Sequence, residues 1–309
     1  MLSTHLLRSA LYGITAASLW GAMFVVSDAM MQLIPPITLL SLRLIIAALM
    51  FAGILAAQGC LGLPRRDAIE LMALGVLGFG ISVGMQFVGT ALSSAINGSV
   101  ITSAAPAFIV LFAWLLLRES LTPLKLISSA AATLGVLIIL DLSQFSLGVS
   151  DGRRLLGDIA LAIAAVSWAA YSVLIRRASR RFSTSVITTY ALIGGLLFCA
   201  PIAALELRDA ALPAPTLEIL AGIFFLSVIV MGGANYLWNR AFALVEASLA
   251  SLYFFAQPLV GALLANWLLG QPITSELVIG AGLIVLGVLL ALRSERHLQS
   301  QAGAHARQT

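Results

Sequence analysis

Apolar residues fall in ten long runs, separated by short segments that hold most of the charge. The runs cover about 9–28, 35–57, 67–90, 95–117, 123–141, 155–176, 184–205, 216–238, 247–269 and 273–292. Each is near the roughly 20 residues an α-helix needs to cross about 30 Å of hydrocarbon. The pattern predicts an all-α integral membrane protein with ten transmembrane helices. The runs take up roughly 215 residues at that span length. Only 142–154 and 206–215 connect them at any length, so no soluble domain is expected. The first run is expected to be a span and not a cleavable signal peptide, because no small-residue cleavage site precedes a mature soluble chain.

The positions of Arg and Lys orient the helices. With the N-terminus in the cytoplasm, Arg8, Arg65, Arg66, Arg118, Lys125, Arg176, Arg177, Arg180, Arg181, Arg240, Arg293, Arg296 and Arg307 fall on the cytoplasmic side. Arg153, Arg154 and Arg208 fall outside, and Arg43 alone lies within a run. The 13-to-3 division predicts a multi-pass protein of the inner cell membrane with both termini cytoplasmic. Composition agrees: 61% of the 309 residues are hydrophobic and 10% are charged, against about 25% charged in soluble domains. The pI near 9.5 reflects topology. No dense basic face exists to hold nucleic-acid phosphates, so no nucleic-acid partner is expected. Cys60 and Cys199 sit in or beside apolar runs and read as small buried hydrophobes.

The chain repeats itself. Residues 91–140 align with 243–292 at a constant offset of 152, with 17 identities in 50 positions and no gap. Ser99/Ser251, Pro106/Pro258, Thr122/Thr274 and Leu134-Gly135-Val136-Leu137 against Leu286-Gly287-Val288-Leu289 are among them. Trp20 matches Trp168 at a slightly smaller offset. Five helices per copy is an odd number, so the second copy enters the membrane from the opposite side. Such inverted repeats suit alternating access. The expected division is 1–141 and 155–292 for the two repeats, 142–154 for an outer connecting loop, and 293–309 for a cytoplasmic tail.

Particular residues carry a family resemblance. Arg118-Glu119-Ser120-Leu121-Thr122-Pro123 followed by Leu134-Gly135-Val136-Leu137 is similar to the end of an EamA-type repeat. Gly270-Gln271-Pro272-Ile273-Thr274 followed by Leu286-Gly287-Val288 is its second copy, and Trp20-Gly21 and Leu42-Arg43-Leu44 also fit. The resemblance, over about 9–292, implies the drug/metabolite transporter superfamily. Its ten-helix members move small metabolites across the bacterial inner membrane, many of them exporting amino acids or related compounds. Gln271-Pro272 stands where an acidic pair is often found.

Polar groups within a bilayer tend to face a cavity or one another. Pro106 and Pro258 sit near the middle of equivalent helices, where proline breaks the hydrogen-bond ladder and marks a transporter's binding region. Ser99, Thr102, Ser103 and Pro106 share one face at i, i+3, i+4, i+7 spacing; a structural kink is the alternative role. Trp20, Trp168, Tyr171, Tyr190 and Tyr253 form an aromatic set suited to a flat or partly apolar solute, or to interfacial anchoring. Anchoring is the expectation for Trp114 and Trp267. Gln86, Asn235 and Gln257 are placed to bond a solute or a neighbouring helix. Arg43, eight residues or about 12 Å into its helix, has three open roles: snorkelling to the outer surface, pairing with an acid such as Asp28, or holding a carboxylate.

No phosphate-cradling Gly-Lys-Ser/Thr loop is present, which argues against ATP hydrolysis. The three histidines lie in the terminal tails, so the intramembrane-enzyme reading is weak and no metal or cofactor is expected. The reading is a secondary carrier for a small neutral or zwitterionic metabolite, such as an amino acid or aromatic compound. Outward movement is implied by the resemblance alone. A quaternary-ammonium, drug or lipid translocator and a non-transporting scaffold are the alternatives. The expected partners are the lipid bilayer and a small solute, with a homodimer left open.

Overall fold

A computed structural model describes residues 4–59, 62–93, 98, 101–139, 152–209, 212–269 and 275–305. Ser99 lies outside the described residues, as do most of the connecting loop 142–154 and the side chain of Asp28.

Among the described residues the chain is helical throughout, without strands. In chain order the helices are α1 (Thr4–Met31), α2 (Pro36–Ala57), α3 (Arg65–Leu92), α4 (Ala105–Leu117) and α5 (Pro123–Ile139). Then come α6 (Gly152–Ala178), α7 (Thr184–Asp209), α8 (Leu217–Leu244), α9 (Ala247–Leu269) and α10 (Ser275–His305). α2, α3, α6, α7 and α8 are each long and apolar enough to cross a bilayer. α4, α5, α9 and α10 contribute shorter apolar stretches. With no water to serve the backbone inside lipid, helices that satisfy their own amides are what such a sequence must form. Their outer faces leave large apolar side chains uncovered, Leu49, Leu115, Leu197 and Leu263 among them.

Local sequence sets where helices start, bend and stop. Pro36 opens α2, where its missing N–H has no intrahelical partner to lose. α4 starts just before Pro106, after a turn at Ser103–Ala104. The expected mid-helix kink is therefore a break, with Pro106 in a first turn. α9 carries the counterpart: a 3₁₀ segment at Ser251–Phe255 precedes Ala256 and Pro258. Two further interruptions match across the repeats. α3 widens to π geometry over Val76–Val83, and α8 does so over Phe225–Ala234. α7 extends to Asp209, beyond the expected end at 205, because Glu206 finds a partner on α2. α10 continues to His305, so helix runs into the segment expected as a tail.

Packing follows an exchange rule. α1 packs on α8 and α9, and α6 packs on α3 and α4. α2 meets α8 as α7 meets α3, while α2 pairs with α7 and α5 with α10. Advancing every helix by five maps this set of pairs onto itself. Glycines allow the tightest crossings. Gly75 lies against the Ala191 carbonyl and Gly194 against that of Met72, so the α3 and α7 backbones touch. Gly135 and Gly287, repeat equivalents, do the same between α5 and α10. The main core joins Leu40, Leu44 and Phe51 of α2 to Tyr171 of α6, Leu192 of α7 and Trp238 of α8.

Polar ties gather at helix ends. Glu206 accepts from the amides of Ile37 (3.2 Å) and Thr38 (2.7 Å) and from the Thr38 hydroxyl (2.8 Å), capping α2 from α7. Glu119 caps α9 likewise, accepting from the Ala247 (2.7 Å) and Ser248 (3.1 Å) amides and the Ser248 hydroxyl (2.7 Å). Beside it Lys125 pairs with Glu246. Arg181 bridges Asp67 (2.8 Å) and Glu70 (3.1 Å) at the start of α3. The Asp67 hydrogen bond is the main cause holding its guanidinium pKa above the usual value.

Candidate functional site

Three of the sequence-predicted aromatics, Trp20, Trp168 and Tyr171, meet where α1, α6, α8 and α9 converge. Trp20 of α1 lies edge-on to Trp168 of α6, with ring centres 5.3 Å apart. Trp238 of α8 sits 5.0 Å from Trp20 and 6.4 Å from Trp168. Phe254, in the 3₁₀ segment of α9, closes the group at 6.2 Å from Trp20 and 6.0 Å from Trp238. Tyr171 stacks 5.2 Å from Trp168 and 5.5 Å from Phe79. Helical spacing produces this: Trp168, Tyr171 and Ser172 share one face of α6, and Asn235, Trp238, Asn239 and Phe242 share one face of α8. Gly78 makes room for the Tyr171 ring, since a methyl group there would come within 2.5 Å of it.

A polar chain supports the rings. Trp238 Nε1 donates to Ser172 Oγ (3.2 Å), and Asn239 Nδ2 donates to Thr188 Oγ1 (3.0 Å). The Tyr171 hydroxyl lies 3.4 Å from Asn239 Oδ1. Trp168 differs: its Nε1 is buried and has no partner among the described residues. Buried indole N–H groups ordinarily find an acceptor, so this one is an unfilled donor within the ring cluster. Large rigid rings with few polar groups are the usual lining of a small-molecule site.

The other candidates are placed as follows. Asn235 is buried and donates to the carbonyls of Met231 (3.0 Å) and Val230 (3.4 Å), serving the loosened backbone of the π segment. Thr102 donates back to the Gly98 carbonyl (2.6 Å), and Ser103 is buried beside the break before α4. Pro106 is buried and Pro258 half-buried. Tyr253 is buried, its ring over Gly13 of α1. Tyr190 is half-buried against the core. Gln86 and Gln257 are half-buried, and among the described residues no hydrogen bond joins them to the rings. Trp114 and Trp267 are exposed on the bundle's outside, where anchoring would place them.

Arg43 is 2% exposed, which removes the snorkelling role. Its Nη2 donates to the Met23 sulfur (3.1 Å), while Nε and Nη1 are buried without a partner among the described residues. The open groove lined by Ile69, Met72, Val76, Gly194, Leu197 and Phe198 lies between α3 and α7 and contains none of the candidate residues.

Trp238, Asn239, Ser172, Thr188, Phe242 and Phe254 were not among the sequence-predicted site residues. Their signal was present as a face: Asn235, Trp238, Asn239 and Phe242 follow i, i+3, i+4, i+7 spacing. Trp238 stands at the last position of its apolar run and reads as a span end.

Comparison with known proteins gives the family. The sequence profile of the EamA-like transporter family matches residues 7–141 and 155–293. An uncharacterized transporter of Archaeoglobus fulgidus is 28% identical over 278 residues, covering 89% of this chain and 95% of that protein. The uncharacterized transporter YyaM of Bacillus subtilis is 27% identical over 232 residues, 74% of each chain. A solved crystal structure superposes with a TM-score of 0.75 at 24% identity, covering 94% of this chain and 98% of its own, which shows a shared fold. A profile that takes in nearly all of both halves leaves one conclusion: the chain is a multi-pass membrane protein of the EamA-like transporter family.

Proposed function

We propose that the protein is a secondary carrier in which α1–α10 are ten spans, arranged as two inverted five-helix repeats, 1–141 and 155–292. It moves a small neutral or zwitterionic metabolite, an amino acid or aromatic compound, outward across the inner membrane by alternating access. Both termini, and the tail from 293, face the cytoplasm. The exchange rule in the packing supports the repeat reading, as do the paired π segments and the paired breaks before Pro106 and Pro258. π segments and broken helices recur at functional sites because they leave backbone groups unsatisfied.

The observation that carries the solute reading is the ring cluster of Trp20, Trp168, Trp238 and Phe254, with an unfilled indole donor inside it. The rings draw on α1 and α9 from the two ends of the chain and on α6 and α8 between. A rocking of one repeat against the other would therefore open and close this cluster. Both halves of the chain contribute, so the site belongs at the repeat interface. The buried Arg43 speaks against a quaternary-ammonium solute, since like charges repel strongly in low dielectric.

Proteoliposomes loaded with a panel of labelled amino acids test the proposal. The expected result is saturable efflux of at least one member, reduced tenfold or more by Trp20→Ala or Trp168→Ala in protein that remains folded. Absence of flux for amino acids, purines and quaternary amines alike would overturn the carrier reading.

A further inference from the structure

We infer that Arg43 is the anchor for a single carboxylate on the transported solute. The inference rests on the carrier reading above and names the group by which its solute is held.

Arg43 lies seven residues beyond Pro36 in α2, about 10 Å along the helix axis. It is among the largest fully buried side chains of the protein. A guanidinium stays protonated in proteins, so it cannot escape its charge by losing a proton. Buried charges are ordinarily paired, and those within a membrane mark solute or ion pathways. The only acceptor held by Arg43 among the described residues is a neutral thioether, Met23 Sδ. Glu206 of α7 lies against the same stretch of α2, but its oxygens take the Ile37 and Thr38 donors one turn or more before Arg43.

The unfilled donors have a shape. Nη2 gives one proton to sulfur and retains another. Among the described residues, Nε and Nη1 are both without partners. Whichever Nη2 proton the sulfur takes, the remaining one pairs with a neighbouring N–H to form a two-pronged fork. That fork matches the two oxygens of a carboxylate. One cation balances one negative charge, which favours a monocarboxylate over a phosphate ester.

The location joins this fork to the aromatic cluster. Met23, which Arg43 touches, follows Trp20 on the same face of α1 at i+3, a rise of about 4.5 Å. Ser27 follows at i+7 on that face, its buried hydroxyl also without a partner among the described residues. Trp168, whose Nε1 has no partner among the described residues, packs against Trp20. One stripe of α1 thus runs from apolar rings to an unfilled guanidinium, an arrangement for a solute with an apolar body and an acidic end.

The test uses purified full-length protein in maltoside micelles, with tryptophan fluorescence as the readout. The probes are two matched pairs: 3-phenylpropionate with 3-phenylpropanamide, and phenylalanine with phenylalaninamide. Each acid is expected to bind about tenfold or more tighter than its amide, the usual worth of a charged fork. In Arg43→Met the preference is expected to fall close to one, with amide binding within a few-fold of wild type. Arg43→Lys, which keeps the charge and loses the fork, is expected to lose most of it. Equal acid and amide binding in wild type overturns the inference. So does a preference that survives in both variants, displacement of the acids by equimolar chloride, or failure of all four probes to bind. Flux of choline or a purine in the same preparation would leave the carrier reading standing while the carboxylate inference fell.

Discussion

Arg43→Met should make the empty protein more stable. The substitution keeps an unbranched apolar stem and removes a charge held in the bundle with one thioether contact. Leaving a buried donor unsatisfied costs about 1–3 kcal/mol, and Nε and Nη1 are two such nitrogens. Their removal would return about 2–6 kcal/mol before losses on that basis. Against this stands the Nη2 contact to Met23 and the partial cavity left where the guanidinium sat, about 1–2 kcal/mol together. A net gain of about 0–5 kcal/mol follows, which brackets the about 1–4 kcal/mol that apolar replacement of buried ionic groups delivers. Equilibrium unfolding in mixed dodecylmaltoside and dodecyl sulfate micelles, followed by tryptophan fluorescence, measures it. A variant less stable than wild type by more than about 1 kcal/mol would refute the reasoning, because it would mean that the guanidinium already has a strong internal counter-ion. Gain of stability with loss of the acid preference is the signature of a group retained for function.

Four further outcomes separate tight from loose parts of the bundle. Gly194→Ala and Gly75→Ala push a methyl group into the carbonyls of Met72 and Ala191 and should each lose about 3 kcal/mol or more in the same unfolding assay. Gly53→Ala, with nothing within 4 Å, should gain about 0.5–1 kcal/mol from helix propensity. Glu119→Ala removes the acceptor of two α9 amides and the Ser248 hydroxyl and should lose about 1–2 kcal/mol, with proteolytic cleavage near 245–250 rising in parallel. Arg181→Ala breaks the pairs with Asp67 and Glu70 on an exposed side chain. It should change stability by less than about 1 kcal/mol, less still in 1 M salt.

What the sequence discloses depends on whether a property is local. Span length is local: the runs at 35–57 and 184–205 correspond to α2 at Pro36–Ala57 and α7 from Thr184, because apolar length alone decides what can lie in lipid. Helical faces are local too, so Trp168 and Tyr171 were readable as a pair. The π segments in α3 and α8 are not. A single extra residue per turn shifts a face without altering composition, and both segments read as ordinary apolar helix. The caps are tertiary in origin. Glu206 reads as the start of a loop, yet it extends α7 because its partner amides lie 168 residues away on α2. Trp238 was lost for a related reason: it ends its apolar run, and only the inward turn of Asn235, Trp238 and Asn239 makes it central.

The repeat also explains why the charged features are unequal between its halves. Exchange of the five-helix units maps the helix pairs onto one another, but it does not map their charges. Glu119, which holds the start of α9, corresponds at the 152-residue offset to Gln271, and Lys125 to Leu277. Arg43 corresponds roughly to Tyr190, a half-buried aromatic against the core. The two halves therefore share a pattern of helix pairs while their charges fall at different positions. An anion anchor on α2 needs no counterpart on α7, since one solute carries one carboxylate and a second buried guanidinium would repel the first. The helix pairs are symmetric because both halves must pack, whereas the buried guanidinium of Arg43 has no cationic equivalent in the second half. On that division, Tyr190→Phe should leave the acid preference intact, whereas Arg43→Met abolishes it. Equal losses in the two variants would mean that the preference arises from the shape of the bundle and not from the fork.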